Sequence, residues 1–147
     1  MNQLTVQTVL TPVDGSEASA DAVEYAAAIA DKYSATIHLL YVHGETITRG
    51  LNRGEVDPED VIESQMTFLN DVARFCEDRN VRMKTSTAFG FSTTRKAQHP
   101  GSVILDVAES MDADFLVIPR ERESSADVLE KAAEYVLLYA SQPVLSV

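Results

Sequence analysis

The sequence predicts an α/β fold, a doubly wound five-stranded parallel sheet of order 3-2-1-4-5 with helices on both faces. Three observations predict it. Four short segments are almost continuously apolar, which is typical of strands buried on both faces. Between them lie stretches whose apolar residues recur every three or four positions, as in amphipathic helices. The two kinds of segment alternate along the chain, which favours parallel strands joined by right-handed crossovers.

The strands are recognised by their apolar runs. The four buried ones are predicted at Thr8–Val13, Thr36–Val42, Phe115–Ile118 and Val144–Val147. A fifth segment, Val81–Thr87, alternates polar or charged residues with apolar ones. This alternation indicates a half-exposed strand, which we place at a sheet edge.

Four helices are predicted from apolar stripes. Their stripes are Ala22, Val23, Ala26, Ala27, Ala30 and Tyr33; Val61, Phe68, Leu69, Val72, Phe75 and Cys76; Val103, Ile104, Val107, Ala108 and Met111; and Val128, Leu129, Ala132, Ala133, Val136, Leu137 and Ala140. Pro58 and Pro100 suit helix starts, where a missing N–H costs nothing. Met66 and Cys76 are expected to pack in the core rather than to carry redox chemistry.

This strand order places a ligand crevice where the direction of winding reverses, between the first and fourth strands. Candidate binding residues are therefore sought in the loops that follow Val13 and Ile118. Two longer connections are also predicted, over residues 44–57 and 90–101. We expect the first to be flexible. We interpret the second either as a lid or partner-docking loop anchored by Phe89 and Phe91, or as a surface insertion with one aromatic side chain folded inward.

Composition narrows the classes of function. The chain has 147 residues, 45% of them hydrophobic, which predicts one domain over residues 1–147. The formal net charge of −11 disfavours binding to nucleic acid or to anionic lipid. No run approaches the roughly 18 apolar residues of a membrane helix, and no leader is visible, so we expect a cytoplasmic protein without membrane insertion. The acidic, lysine-poor composition fits either a halophilic or an ordinary acidic protein.

Cysteine and histidine content argues against several chemistries. One Cys and three His exclude an intramolecular disulfide and give no metal-ligand spacing. His38 is expected to be a hydrogen-bonded interior residue. His99 has no neighbouring nucleophile and orienting acid, so a catalytic triad is not supported.

The turn Pro12–Glu17 joins the first strand to the first helix and is the most informative stretch. Asp14 could accept hydrogen bonds from a ligand. Alternatively, Asp14 or Ser16 could cap the free N–H groups of the helix, since Asp and Ser are ordinary capping residues.

Four stretches occur in a specific order and spacing: Val9–Ser16, Ile104–Glu109, Ala113–Ile118 and Pro143–Val147. Through them the chain resembles the universal stress protein family, and the resemblance spans nearly the whole chain. It implies the same α/β fold. It also implies that Pro12, Asp14 and Val42 match positions that frame the base and ribose in ATP-binding relatives.

The phosphate half of that site is missing. ATP-binding relatives follow the fourth strand with G-x-x-G and, about nine residues later, G-[ST], whose bare amides cradle phosphates. This chain reads Pro119–Asp127 instead, with Glu130 and Lys131 at the later position. The side chains of this stretch block the close approach of a phosphate group to the backbone, and its carboxylates repel phosphate. Arg120, Arg122 and Lys131 could supply a side-chain anion site, or could form solvated charge pairs.

The last strand leaves an apolar edge, which favours pairing with a second copy. The resemblance implies the same dimer, through Val144, Leu145 and Val147.

We therefore expect a non-catalytic, homodimeric stress-response module that acts on a protein partner, with no metal and no bound ATP. The alternatives are a regulatory protein that binds ATP or AMP, and an enzyme of phosphotransfer or flavin chemistry. Asp14 has no paired acid, which counts against the enzyme.

Overall fold

The computed structural model describes residues 5–90, 99–120 and 128–147, apart from the side chains of residues 128, 130 and 131. Five strands form one sheet: β1 Thr8–Val13, β2 Thr36–His43, β3 Met83–Phe89, β4 Phe115–Ile118 and β5 Val144–Ser146. Their order is β3-β2-β1-β4-β5, and all neighbouring pairs are parallel. The predicted fold class and strand order are confirmed.

Helices cover both faces of this sheet. Those that the structure describes are α1 Glu17–Tyr33, α2 Glu45–Arg53, α3 Pro58–Glu77, α4 Pro100–Ser110 and α5 Val128–Tyr139. Alternate residues of β1 explain why the strand is apolar throughout. Val9 and Val13 pack with α1 and α3, whereas Leu10 packs with α4 and α5. A central parallel strand has no solvent face, and this accounts for the continuous apolar runs in the sequence.

Residues 44–57 differ from the prediction, because they contain helix α2 instead of a flexible connection. The Thr48 hydroxyl donates to the Gly44 carbonyl at 2.8 Å, and Gly54 ends the helix in the left-handed conformation with a φ of 71°. The described residues therefore hold five helices, where the sequence predicts four. Most residues of this short helix are polar, so its sequence lacks the repeating apolar pattern from which the other helices are predicted.

Several residues of the predicted apolar stripes are exposed. Met66, Leu137 and Tyr33 are 56%, 52% and 44% exposed, respectively, so their predicted core positions are wrong. They lie at the margins of helices that pack through one side only. Cys76 is buried as expected, and burial raises the pKa of its thiol to about 11.

The edge position of β3 is confirmed, but the strand begins at Met83, two residues later than predicted. The Val81 amide donates to the Cys76 carbonyl at 2.8 Å, so Val81 belongs to the turn that ends α3. His38 is hydrogen-bonded as expected, with its Nε2 2.7 Å from the Ser86 hydroxyl. The predicted connection 90–101 ends at His99, which caps α4, and residues 91–98, including Phe91, lie outside the described residues.

Candidate functional site

A cavity of about 370 Å³ opens at the carboxyl ends of β1 and β2. Its remaining walls are the first turns of α2 and α3 and the turn that joins them. The lining residues are Asp14, Tyr41, Val42, His43, Gly44, Glu45, Thr46, Ile47, Val56, Asp60, Val61 and Ser64. The cavity has the size of a small-molecule site, and it lies at the sheet edge where open α/β folds bind ligands.

The turn between β1 and α1 places a carboxylate at this cavity. Ser16 caps α1, because its hydroxyl accepts from the Ser19 amide at 3.1 Å. Asp14 Oδ1 accepts from the Ser16 amide at 3.0 Å, which fixes the half-buried carboxylate. Gly15 has a φ of +87°, and a Cβ there would lie 2.6 Å from the Tyr41 hydroxyl. The turn therefore needs glycine both for its backbone conformation and for the close approach of Tyr41.

Two aromatic rings form one wall of the cavity. The rings of Tyr41 and His43 have centroids 5.0 Å apart, and both residues are buried. Burial lowers the pKa of His43, partly offset by its hydrogen bond to Gln65. Burial raises the pKa of Tyr41, and the nearby Asp14 carboxylate adds to the rise. Both aromatic side chains are therefore uncharged at neutral pH.

A chain of hydrogen bonds fixes the His43 ring. Its Nε2 lies 3.0 Å from Gln65 Oε1, and the Gln65 amide nitrogen donates to the Thr87 hydroxyl at 2.6 Å. Because the Gln65 oxygen is the acceptor, the neutral His43 carries its proton on Nε2 and keeps Nδ1 as an acceptor. The chain joins β2, α3 and β3 beside the cavity.

The charged groups at the cavity are acidic. Asp14, Glu45 and Asp60 line it, and Glu45 forms an ion pair with Arg49 one turn along α2. Over the residues that the structure describes, neither Lys nor Arg lines the cavity. The site therefore offers carboxylate acceptors without a cationic side chain to hold phosphate.

The three residues that match base-framing and ribose-framing positions of relatives do not all line the cavity. Asp14 and Val42 line the cavity. Pro12 is buried in β1, opposite Leu40 of β2, and is not among the lining residues. The cavity lies on the β2 side of β1, whereas the sequence directs attention to the crevice between β1 and β4.

The predicted anion residues lie beyond β4. Arg120 is exposed, and its guanidinium donates to the Ser146 carbonyl at 3.4 Å. Arg122 lies outside the described residues. Lys131 lies on α5, with its side chain undescribed.

The backbone after β4 is already engaged. Pro119 is buried and carries no N–H. The Arg120 amide donates to the Val147 carbonyl at 2.7 Å, and the Val147 amide donates to Ile118 at 3.0 Å. Neither Pro119 nor Arg120 has a main-chain donor left for a ligand.

Strand β5 forms the sheet edge opposite β3. Val144, Leu145 and Val147 are partly exposed, and within the described ranges β5 pairs only with β4. The backbone of Val147 is hydrogen-bonded to Ile118 of β4 and to Arg120. Because backbone groups alternate in direction along a strand, those of Val144 and Ser146 point toward the open edge.

The sequence does not predict Tyr41, His43, Val56 and Val61 as cavity residues. Tyr41 and His43 end an apolar run that is read as buried strand, and only Gly44 after it signals a break. Val56 lies in the turn between α2 and α3 and Val61 in the first turn of α3, and the sequence gives no sign of that turn when α2 is not predicted.

Two negative findings concern the described parts of the chain. No group of three or more His, Cys, Asp or Glu residues there could hold a metal ion. None of the described helices combines the length and the hydropathy that a membrane span requires.

Sequence comparison gives a match over almost the whole chain. Residues 5–147 match a family model described as the universal stress protein family. A universal stress protein of Methanocaldococcus jannaschii is 27% identical over 144 residues, covering 95% of this chain and 80% of that protein.

Solved structures share the fold. A universal stress protein in complex with cAMP has a TM-score of 0.69 and 19% identity, with 98% of each chain covered. The Archaeoglobus fulgidus universal stress protein in complex with dAMP has a TM-score of 0.65 and 20% identity, again with 98% of each chain covered.

Proposed function

Because the chain belongs to the universal stress protein family, we propose that it is a non-catalytic regulatory protein that acts as a homodimer on a protein partner and does not hold ATP. The observation that carries this proposal is the engaged backbone after β4. Pro119 lacks an N–H, and that of Arg120 is bonded to Val147. Main-chain amides bind phosphate only when they are free and unobstructed.

The acidic cavity supports the same proposal. Asp14 and Asp60 would face a bound nucleotide, and their negative charges repel phosphate. A triphosphate would meet this repulsion without compensating main-chain donors from Pro119 or Arg120.

The second candidate function is adenine-nucleotide binding with phosphate held by side chains. It is favoured by the complexes of similar folds with cAMP and dAMP, and by the exposed guanidinium of Arg120. In this chain such binding would depend on Asp14 for the nucleoside and on Arg120, Arg122 and Lys131 for the phosphates.

Isothermal titration with magnesium ATP in low-salt and high-salt buffer separates the two candidates. The proposal predicts no saturable binding at micromolar ATP in either buffer. Saturable binding that Asp14→Ala abolishes would contradict it. An Arg120→Ala variant then shows whether a side chain holds the phosphates.

A further inference from the structure

Strand β3 presents an open edge at the side of the sheet opposite β5. Within the described ranges it pairs only with β2. The carbonyl of Arg82 and the amide of Gly90 are each hydrogen-bonded to β2, at 2.9 Å. Because backbone groups alternate in direction along a strand, those of Met83, Thr85 and Thr87 point away from β2. The edge therefore offers the N–H and C=O groups with which an added strand pairs.

The two faces of this edge differ in chemistry. The Thr87 hydroxyl accepts from Gln65 of α3, so Thr87 and the alternate residue Thr85 lie on the α3 face of the sheet. Arg82 and Lys84 alternate with them, lie on the other face and are exposed. A strand added to β3 would therefore meet α3 on one face and basic side chains on the other.

The flank of α3 beside β3 is apolar. Ile62 and Met66 lie one turn apart on this helix and are 57% and 56% exposed. Ser64 and Asp71 line a groove on the α1 side of α3, and helical spacing places Ile62 and Met66 on the opposite side. That side faces β3, because neighbouring Gln65 contacts the strand. Apolar side chains of an added strand would cover these two residues.

The other face of the edge is basic in an acidic protein. Residues 79–90 contain three basic residues and no acidic ones, although the formal net charge of the chain is −11. Arg79 pairs with Asp31, whereas no carboxylate among the described residues lies within ion-pair distance of Arg82 or Lys84. Charges more than about 8 Å apart are largely screened at physiological salt. The local charge of Arg82 and Lys84 therefore decides what this edge attracts.

We infer that the β3 edge binds an extended segment of a protein partner in which acidic residues alternate with apolar ones. The acidic side chains lie against Arg82 and Lys84, and the apolar ones cover Ile62 and Met66. Two copies of β3 pair poorly with each other, because their basic side chains would lie side by side. This assignment rests on the proposed function, in which the protein acts on a protein partner, and it adds the surface and the chemistry of that partner.

Fluorescence anisotropy of the full chain with two labelled peptides tests the inference. Both peptides have seven residues, the length of β3. One alternates glutamate with valine, and the control alternates lysine with valine. We expect saturable binding of the acidic peptide, with the basic peptide at least about tenfold weaker. Raising the salt concentration weakens the acidic peptide, because salt screens its attraction to Arg82 and Lys84.

Matched variants at Thr85 test the backbone pairing. Thr85→Pro removes an outward N–H and leaves the bonds to β2 intact, whereas Thr85→Ala keeps that N–H. We expect Thr85→Pro to weaken the acidic peptide at least about tenfold and Thr85→Ala less than about threefold. Equal effects of the two variants would contradict strand addition.

Methylated peptides test the same backbone bonds without changing the protein. Alternate amides of an extended peptide point to opposite sides. One acidic peptide is methylated at its odd-numbered amides and another at its even-numbered amides. We expect one of them to lose binding and the other to keep it. Binding by both, or by neither, would contradict pairing along one edge.

Variants of the two faces test the side-chain contacts. We expect Lys84→Glu to reverse the preference, so that the basic peptide binds more tightly than the acidic one. Met66→Asp adds a charge on the flank of α3, and Tyr25→Asp adds the same charge at an exposed position of α1. We expect Met66→Asp to weaken the acidic peptide several-fold and Tyr25→Asp to change it much less. Equal effects of these two variants would exclude the α3 flank from the site.

The outcomes distinguish this inference from the proposed function. If the acidic peptide does not bind at millimolar concentration, or if both peptides bind equally, the inference is wrong and the absence of ATP binding still stands. If Thr85→Pro weakens the dimer in sedimentation velocity and leaves peptide binding unchanged, the edge pairs with a second copy and the inference is again wrong. Saturable ATP binding would contradict the proposed function, whereas charge-selective peptide binding at β3 would still support the inference.

Discussion

Thr11 is a residue whose chemistry conflicts with its surroundings. It is fully buried in β1, and its hydroxyl lacks a hydrogen-bond partner among the described residues. By alternation along the strand it shares a face with Val9 and Val13, which belong to the core on the α1 side. Thr11 therefore places a polar group in an apolar layer.

We expect Thr11→Val to stabilise the protein by about 1 kcal/mol, because it replaces an unsatisfied buried hydroxyl with a methyl group of similar shape. Urea unfolding of the two proteins measures the change. Thr11→Ser is the control, because it keeps the hydroxyl and loses only the methyl. A destabilised Thr11→Val variant would show that the hydroxyl has a partner.

His43 makes stability depend on pH. Burial lowers the pKa of folded His43 below the unfolded value of 6.5, so the unfolded chain binds the proton first as the solution is acidified. This contribution to stability is present above pH 6.5 and is lost as the pH falls toward the folded pKa. His38, whose pKa is lowered by burial and by Lys84, acts with the same sign.

Urea unfolding as a function of pH tests this effect. We expect His43→Gln to lose less stability than the wild type between pH 7 and pH 5, because one proton-binding group is gone from the unfolded state. His38→Gln provides a comparison at a second histidine, which is half-buried. Parallel pH profiles for wild type and His43→Gln would contradict the assignment.

Residue-level roles were predictable where they depend on near neighbours. Ser16 caps α1 from three residues away, and the sequence pattern indicates that role. His43 depends on Gln65 and Thr87, which lie 22 and 44 positions further along the chain. Only the folded sheet brings them together, so the sequence gives no sign of the hydrogen-bond chain.

At the scale of elements, the turn that follows α2 packs closely against the helix at Gly50. A Cβ at buried Gly50 would overlap the Cγ2 methyl of Val56, which is a wall of the cavity. The amides of Glu55 and Val56 both donate to the Gly50 carbonyl, at 2.9 and 3.1 Å. Gly50 therefore lets the chain fold back and bring Val56 to the cavity.

We expect Gly50→Ala to destabilise the protein by about 1–3 kcal/mol, since overpacking forces Val56 to move. The double variant Gly50→Ala with Val56→Ala should recover part of that loss, because the overlapping methyl is gone. Thermal unfolding of the wild type, the two single variants and the double variant gives a double-mutant cycle, which measures the coupling between the two side chains. Strictly additive effects would show that the two side chains do not compete for space.

The bounds of strands with strong apolar patterns could be predicted from the sequence. The bounds of a strand that depend on its pairing with a neighbouring strand could not. The bounds of β1 and β4 agree with the prediction, because each is a central strand with both faces covered. The start of β3 depends on its register with β2, where Met83 lies opposite Ile37. A polar edge strand carries little information about its own register.

At the scale of the whole molecule, the proposed dimer depends on the backbone of β5. Val144 and Ser146 direct their backbone groups toward the open edge, while Val147 bonds back toward β4. A second copy can add its own β5 only through these outward groups. The partly exposed Val144, Leu145 and Val147 would then become buried.

Sedimentation velocity tests the dimer with a matched pair of variants. Ser146→Pro removes an outward N–H and leaves the β4 ladder intact, whereas Ser146→Ala keeps that N–H. We expect a dimer for the wild type and for Ser146→Ala, and a much weaker dimer for Ser146→Pro. A monomeric wild type, or an undiminished Ser146→Pro dimer, would rule out association through β5.

We propose that the backbone of Pro119 and Arg120, directly after β4, does not hold a triphosphate. The most direct measurement is a crystal structure of the protein soaked in magnesium ATP. The account predicts no ordered β- and γ-phosphates beside Pro119 and Arg120, where the Arg120 amide stays bonded to Val147. Well-ordered phosphates held there, by Arg120 or by amides released from the strand, would contradict it.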